Sequence, residues 1–566
     1  MEKAEKRVIF LAFCLILLFN TVFASAEFMR WANPKKLIKE FGDSPSRTEI
    51  AQAPVIKALP NGNLVVAWMS NGLQLGIYNN IDDQIAQVTV NPSRAAHSSR
   101  ESFTRVEWYS FYQFYKFARL AVSNDGKVTV AYKTHDSSNY ILFFKQYTSD
   151  LQNVVIDSTP VVTATYDLDL GDIVVTPNGE IHMIYSRPTA TGFGAYYKRF
   201  NSNGQPIGSE VAFYQSNNFV DTVHGMWAAA TPNNAVDVLF AVGDEEYVSF
   251  SNALYRRRIT DGVPGNRLHV SNPPPSTDDN NPGASIAVDR YENDFIAWWW
   301  QRFPWERTGS TSNSLLLLKK VDSSGNVLNS LQLTGFSFRN TETSPMSQVV
   351  IDGNNNKYII WSDPRGLGLV RNLRFTKLGP NLETIINQQI LMLTANEDWV
   401  QAAADPMGNV HIVYMNGLLS PNEAEAAQPQ AFITRSTTST IAVSDTTLPG
   451  QTARIDISSP NTPGKQYLVA LSFGKSTFPL GGGYVFPLSL DSLFFMSVTS
   501  PGSWLRGATG NLDDTGSATI SLDIPPWAQP GLLIYGAFIV YDPAQQPTML
   551  GISLPARILV KEGVNP

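Results

Sequence analysis

Ile173-Val-Val-Thr-Pro-Asn-Gly179, followed six residues after its glycine by Tyr185, decides the fold, because the chain repeats it. Two earlier copies are Ile56-Lys-Ala-Leu-Pro-Asn-Gly62 leading to Trp68 and Leu120-Ala-Val-Ser-Asn-Asp-Gly126 leading to Tyr132. Ala228-Ala-Ala-Thr-Pro-Asn-Asn234 leads to Phe240, and Ile286-Ala-Val-Asp-Arg-Tyr-Glu292 leads to Trp298. Val349-Val-Ile-Asp-Gly-Asn-Asn355 leads to Trp361, and Ala402-Ala-Ala-Asp-Pro-Met-Gly408 leads to Tyr414. Each copy reads as a short apolar strand, a tight turn, a second apolar strand and an aromatic. The residue six before the aromatic is Gly in four copies and Asn in two, the types that best tolerate a left-handed backbone. Glu292 breaks this rule and predicts a rearranged turn in its copy.

The aromatics lie 64, 53, 55, 58, 63 and 53 residues apart, which fits a four-stranded propeller blade per copy. Second hairpins are visible at Tyr140–Tyr147, at Gly194–Phe200 before Asn203-Gly204, and at Leu315–Val321 before Ser324-Gly325-Asn326. Strands such as Leu64-Val-Val-Ala67 and Val410-His-Ile-Val413 are apolar on both faces, as a blade between two neighbours requires and a one-sided sheet does not. The fold class is therefore all-β, a seven-bladed β-propeller. The last copy lacks a strand after Ala431-Phe-Ile-Thr-Arg435, and a ring with an open edge would expose unpaired backbone. Residues 28–50 are expected to supply that outer strand.

The 566 residues include 43% hydrophobic and only 16% charged residues, which excludes a disordered chain and a long coiled coil. The net charge of −7 excludes the electrostatic footprint of a nucleic-acid partner. Residues 1–26 read as a signal peptide: Lys3, Lys6 and Arg7 precede an apolar run from Val8 to Phe19, and Ala24-Ser25-Ala26 is a small-x-small cleavage site. That run is short for a ~30 Å hydrocarbon core. The one cysteine, Cys14, lies inside it, and a thiol-free mature chain suits an oxidising compartment. No later stretch reaches the ~18 apolar residues of a membrane helix, so no integral membrane segment is expected after cleavage. The localisation expected is secreted or cell surface.

Near residue 438 the pattern changes. After a Ser/Thr-rich stretch, short strands alternate with Pro/Gly turns, as in Ala453–Ile457, Tyr467–Ser472, Ala518–Asp523 and Leu532–Tyr541, which reads as a β-sandwich. The expected domains are the signal peptide at 1–26, the propeller at 27–438 and the sandwich at 439–566. Tyr467-Leu-Val-Ala-Leu-Ser-Phe-Gly474, Phe486–Phe494, Gly510–Thr519, Ile524-Pro525 and Tyr541-Asp542-Pro543 resemble a C-terminal sandwich module carried by many secreted bacterial proteins. The resemblance covers about the last hundred residues and implies a role in cell-surface association. In repeat shape, the propeller resembles secreted seven-bladed propellers, a group that holds glycan-binding proteins, polysaccharide lyases and glycosidases. The Ser-x-Asp-x-Gly-x-x-Trp box and early Arg-Ile-Pro of sialidase-like chains are absent; Ser123-Asn-Asp-Gly126 comes nearest and has different spacing.

Propeller function lies where loops of several blades converge. The segments after the aromatics and before the first strands share one end of the ring and are rich in charge and rings. The repeat turns at the other end are plain Pro-Asn-Gly connectors. The candidate ligand-binding residues at the first end are His135, Asp136, Arg187, His224, Arg302, Trp305, Asp363, Arg365 and Trp399. Rings stack on sugar faces, and arginine pairs with uronate or sulfate through its fork of donors. The passage from Trp298 to Thr308, with four tryptophans, is the foremost candidate loop. The expected function is a secreted or cell-surface binding protein whose ligand, a glycan or a protein, sits on this face.

The alternative is a polysaccharide-active enzyme with its site at the channel mouth, a lyase more readily than a hydrolase. A lyase needs a base beside a neutralised carboxylate, for which His135 or His224 with Arg187 and Tyr112 are candidates. A hydrolase needs two carboxylates ~5–9 Å apart, with Asp136, Glu245 and Asp363 as candidates. No spacing assigns a catalytic residue, a cofactor or a metal site. Asp167–Asp172 and Asp278–Asn281 carry oxygen ligands that calcium favours but read as ordinary turns. His182 and His411, three before their aromatics, are expected inside the blades. Arg256-Arg-Arg258 is expected as a solvated guard on an outer strand.

Overall fold

A computed structural model of the chain describes residues 30–31, 35–36 and 52–561. Segments 92–117, 217–220, 245–252, 272–278, 303–311, 339–346, 364–371, 393–396, 417–429 and some shorter stretches lie outside the description. Residues 1–26 are among those outside it. Seven antiparallel sheets form the first part of the chain. Blades 1 to 4 take their strands in chain order: Gln52–Asn91, Ala118–Ala164, Asp169–Gln215 and Asp221–His269. In blade 5 (Asp279–Phe338) the first strand is split into Asp279–Asn280 and Ser285–Val288, both paired with Asp294–Arg302. Blade 6 spans Ser347–Met392. Blade 7 takes three strands from Glu397–Thr437 and its outermost from the N-terminus, where Arg30 pairs with Thr437 and Lys35 with Ile433. The outer strand expected from residues 28–50 is therefore present. The first strands touch one another in sequence from blade 1 to blade 7, and the seventh touches the first, so the ring is closed. Each pair of neighbouring blades buries its own core, such as Phe144, Phe200, Tyr185 and Met183 between blades 2 and 3.

The repeat turn is the same in all seven copies. Its first residue donates its N–H to the carbonyl four residues on, from Leu59 to Asn63 through Asp405 to Asn409. The fourth residue is left-handed each time, with φ of 83° at Gly62 and 85° at Gly179. Glu292 does not rearrange the turn, contrary to expectation: it adopts φ 63° itself. A non-glycine residue there costs of order 1 kcal/mol, and its side chain supplies the compensation. Glu292 Oε1 accepts the Asn233 N–H of blade 4 at 3.2 Å, and Oε2 lies 3.2 Å from Arg258. Asn234 does the same one blade earlier, accepting the Asn178 N–H at 2.8 Å.

A side chain two residues beyond the turn closes it in three blades. His182 Nε2 lies 3.1 Å from Thr176 Oγ1, Tyr358 donates to Asp352 at 3.0 Å, and His411 Nε2 lies 3.0 Å from Asp405. Both histidines are buried inside their blades, as expected.

Two further expectations about blades 4 and 5 need correction. Arg256–Arg258 lies on the third strand of blade 4, and Arg256 is buried rather than solvated. Arg256 donates through Nε to Asp294 Oδ2 at 2.7 Å and lies 2.7 Å from Asp237 Oδ1 as an ion pair, and Arg258 forks onto Asp237. These groups form an ion network across the boundary of blades 4 and 5. Trp298, Trp299 and Trp300 belong to a strand, not a loop. Trp298 and Trp299 are buried in the cores on opposite faces of blade 5, and Trp300 packs beside Trp298, because alternate strand residues face opposite neighbours. Residues 303–308 lie outside the described residues.

The second part of the chain is a β-sandwich. One sheet holds Thr440–Val443, Thr452–Ser458, Ser517–Asp523 and Leu505–Arg506. The other holds Thr509–Asn511, Gln466–Ser472, Leu533–Tyr541, Met549–Ile552 and Ala556–Leu559. Ile441, Ile455, Ile520 and Leu522 meet Tyr467, Val469, Leu471 and Phe538 between them. A short helix, α1 (Ser492–Thr499), is capped by Asp491 and held to the second sheet by Ser497, which accepts the Leu471 N–H. Among the described residues no helix is long and apolar enough to cross a membrane.

Candidate functional site at one end of the ring

The second strand of each blade runs away from the repeat turn, so its last residues reach the opposite end of the ring. Pairing registers carry six candidate residues to that end. His135 pairs with Tyr140, Arg187 with Gly194, Arg302 with Asp279 and Asn313, and Asp363 with Asn372. His224 lies in a bulge near the start of its strand, and Trp399 pairs with Met415. Asp136, Trp305 and Arg365 lie outside the described residues, as does Tyr112.

Of the candidates, Arg187 has a described side chain, and it does not point into the channel. It crosses blade 3 to Glu210 on the outermost strand, with Nη2 2.7 Å from Oε1. Its guanidinium lies 4.4 Å above the Tyr196 ring. The Tyr185 hydroxyl donates to the other oxygen of Glu210. Gly194 opens the space for this reach, since a Cβ there would meet the Tyr196 ring at 2.7 Å. Burial and the neighbouring Glu210 drive the Tyr185 hydroxyl far above the ordinary tyrosine range, so it stays protonated and donates. Arg187 is thus a wall residue with a dedicated counter-ion.

Two further charged pairs line the inner ring towards the same end. Arg119, on the first strand of blade 2, donates to the Gly171 carbonyl at 3.0 Å and lies 4.0 Å from Asp172. Asp172 in turn accepts the Ala228 N–H at 2.8 Å, so one chain of contacts joins the innermost strands of blades 2, 3 and 4. Lys133 lies 4.0 Å from Asp169 and 5.5 Å from the centre of the Tyr140 ring. Arg119 was not among the candidates, although its position in the otherwise apolar strand Ala118–Val122 was a signal for it. Asp169 and Asp172 sit in a strand rather than in a turn, and no group of metal ligands occurs among the described residues. Arg187, Arg119 and Lys133 thus each have a carboxylate beside them. Such an arrangement offers hydrogen bonds and a rigid wall to a ligand. Acid–base chemistry there would fall to His135, His224 or the loops.

No protein-family model matches the chain, and no curated protein matches it. Solved propeller structures do superpose loosely. An α-L-arabinofuranosidase from Fusarium graminearum shares 10% identity, covering 56% of this chain and 92% of its own, with a TM-score of 0.39. An α-L-arabinanase from Penicillium chrysogenum shares 14%, covering 59% and 94%, with a TM-score of 0.38. An ulvan lyase shares 10%, covering 68% and 93%, with a TM-score of 0.44. At these identities and scores the activities of those enzymes stay with those enzymes.

Proposed function

We propose that the protein recognises a polysaccharide across the end of the ring reached by His135, His224, Arg302, Asp363 and Trp399. The observation that supports this is the asymmetry between the two ends. Seven near-identical turns close one end, and the register brings charged and aromatic residues from at least five blades to the other. Rings and forked cations in one rim are what a charged sugar chain requires.

The enzymatic form of this function is the one to test first, because two histidines, the residue type best suited to proton abstraction near neutral pH, reach this end. Elimination would remove the proton beside a uronate carboxylate, break the bond to the leaving sugar oxygen and form a conjugated double bond. Arg187 has no part in that step, being bound to Glu210. Export, read from residues 1–26, and surface association through the sandwich belong to the same proposal.

The test is incubation with a panel of uronate polysaccharides, read at 235 nm, alongside retention on a glycan array. A rise at 235 nm that is lost in His135→Ala or His224→Ala establishes the lyase form. Retention that falls about tenfold in Trp399→Ala without such a rise establishes a binding protein. Neither retention nor absorbance change would refute the glycan reading.

A further inference from the structure

A second face, at the outer rim between blades 3 and 4, carries positive charge with no counter-ion among the described residues. The last two strands of blade 4, Ala253–Thr260 and Val263–His269, pair so that Arg257 lies directly opposite Arg267, and Tyr255 directly opposite His269. Like charges placed opposite each other across two strands are destabilising. Other arginines of this protein do meet carboxylates: Arg187 has Glu210, and Arg256 and Arg258 share Asp237. No carboxylate among the described residues pairs with Arg257 or Arg267.

Arg257 is anchored instead by backbone, donating to the Gly265 carbonyl of its own blade and to the Phe213 carbonyl of blade 3. Arg267 is exposed and stacks 4.4 Å over the Tyr255 ring. His269 completes the face, its ring 5.1 Å from that of Tyr255. Burial and the neighbouring Arg267 hold the Arg257 guanidinium below the usual arginine range, the direction that unneutralised positive charge produces. These arginines line a cleft of about 320 Å³ whose far wall is the outermost strand of blade 3, Ala212 to Gln215.

We infer that the Arg257–Arg267 face binds an oxyanion group, sulfate or carboxylate, carried on a polysaccharide chain. Two guanidiniums side by side present several donors to one oxyanion, and the anion relieves the repulsion between them. The cleft volume suits a sugar residue, and Tyr214 is among the residues that line it. The net charge of −7 disfavours a nucleic acid as the carrier. That the carrier is a polysaccharide rests on the function proposed above; the anion site rests on its own geometry and lies on the rim, not at the channel mouth.

The experiment titrates the full chain with dextran sulfate, polygalacturonate, neutral dextran and a DNA duplex of matched charge, followed by calorimetry. Binding of one or both anionic polysaccharides is expected, weakening with salt, with no binding of neutral dextran. Arg267→Glu is expected to lower that affinity at least tenfold while leaving thermal stability equal or higher, since it removes a like-charge pair. The ratio between dextran sulfate and polygalacturonate identifies the oxyanion. Arg257→Gln, which retains a donor for the Phe213 carbonyl, provides the second variant and is expected to weaken binding similarly. Wild-type affinity in both variants overturns the inference, as does absence of binding to either anionic polysaccharide. DNA bound as tightly as dextran sulfate also overturns it. Trp399→Ala tests the mouth separately: loss of binding there with Arg267→Glu unaffected supports the mouth and sinks the rim site.

Discussion

Acid should loosen the propeller through His182, and the size of the effect follows from its surroundings. The side chain is 2% exposed. The Thr176 hydroxyl donates to Asn178 Oδ1 at 2.6 Å, so towards His182 it accepts, which places the imidazole proton on Nε2. Nδ1 then accepts the Tyr197 hydroxyl proton at 2.7 Å. Glu180 lies 3.8 Å from Nε2 but is shared with Arg199 at 3.6 Å, which offsets its charge. Burial, with a further push from Arg199, holds the imidazole down at about 3 against an ordinary value of 6.5. The folded-state pKa is depressed, so the unfolded chain takes up the proton first. Stability from this group is complete above about pH 6.5 and is lost as the pH falls towards 3.

At pH 5 the solution is about 1.5 units below the unfolded value, and at about 1.36 kcal/mol per unit the loss is ~2 kcal/mol. His182→Gln removes the titrating group. At pH 8 this variant should be less stable by about 1–3 kcal/mol through the altered hydrogen bonds to Thr176 and Tyr197. At pH 5 the gap should shrink by ~2 kcal/mol, because the wild type alone carries the protonation penalty. Urea unfolding of both proteins at the two pH values measures this directly, and other titrating groups cancel in the comparison. A gap of equal size at pH 8 and pH 5 would refute the buried neutral histidine.

The remaining predictions concern the inter-blade joints. Asp237→Ala should cost about 3–5 kcal/mol, since it leaves the Arg256 and Arg258 charges without their shared partner. Asp294→Asn should cost less than Asp237→Asn, because burial and the adjacent Asp237 already push the Asp294 carboxyl well up, towards its neutral form. Urea midpoints at pH 7 in the reverse order would contradict that assignment. Deleting residues 27–38 should remove about four ladder hydrogen bonds from blade 7, roughly 4 kcal/mol in all. It should also bare the edge of Gln430–Thr437 to self-association. An unchanged melting midpoint and elution volume would show that the N-terminal strands do not close the ring.

Local features were legible in the chain. The seven-fold repeat, the glycine or asparagine at the left-handed turn position and the doubly apolar strands are short-range signals, and each translates into a hairpin without knowledge of its neighbours. The need to pair an exposed edge then places the N-terminal segment on blade 7, and strand direction alone sends His135, His224, Arg302, Asp363 and Trp399 to one end. What the side chains do there depends on partners some twenty to sixty residues away. Arg187 is held by Glu210, two strands further out, and Arg256 is covered by Asp294 of the next blade. Glu292 looked wrong for its turn until Asn233 and Arg258 from blade 4 gave its carboxylate two uses. Arg257 and Arg267 form a face only because the hairpin register sets them opposite each other. A repeat encodes its backbone within a few residues. Charge neutralisation and burial arise between blades, so they became visible only when the blades were assembled.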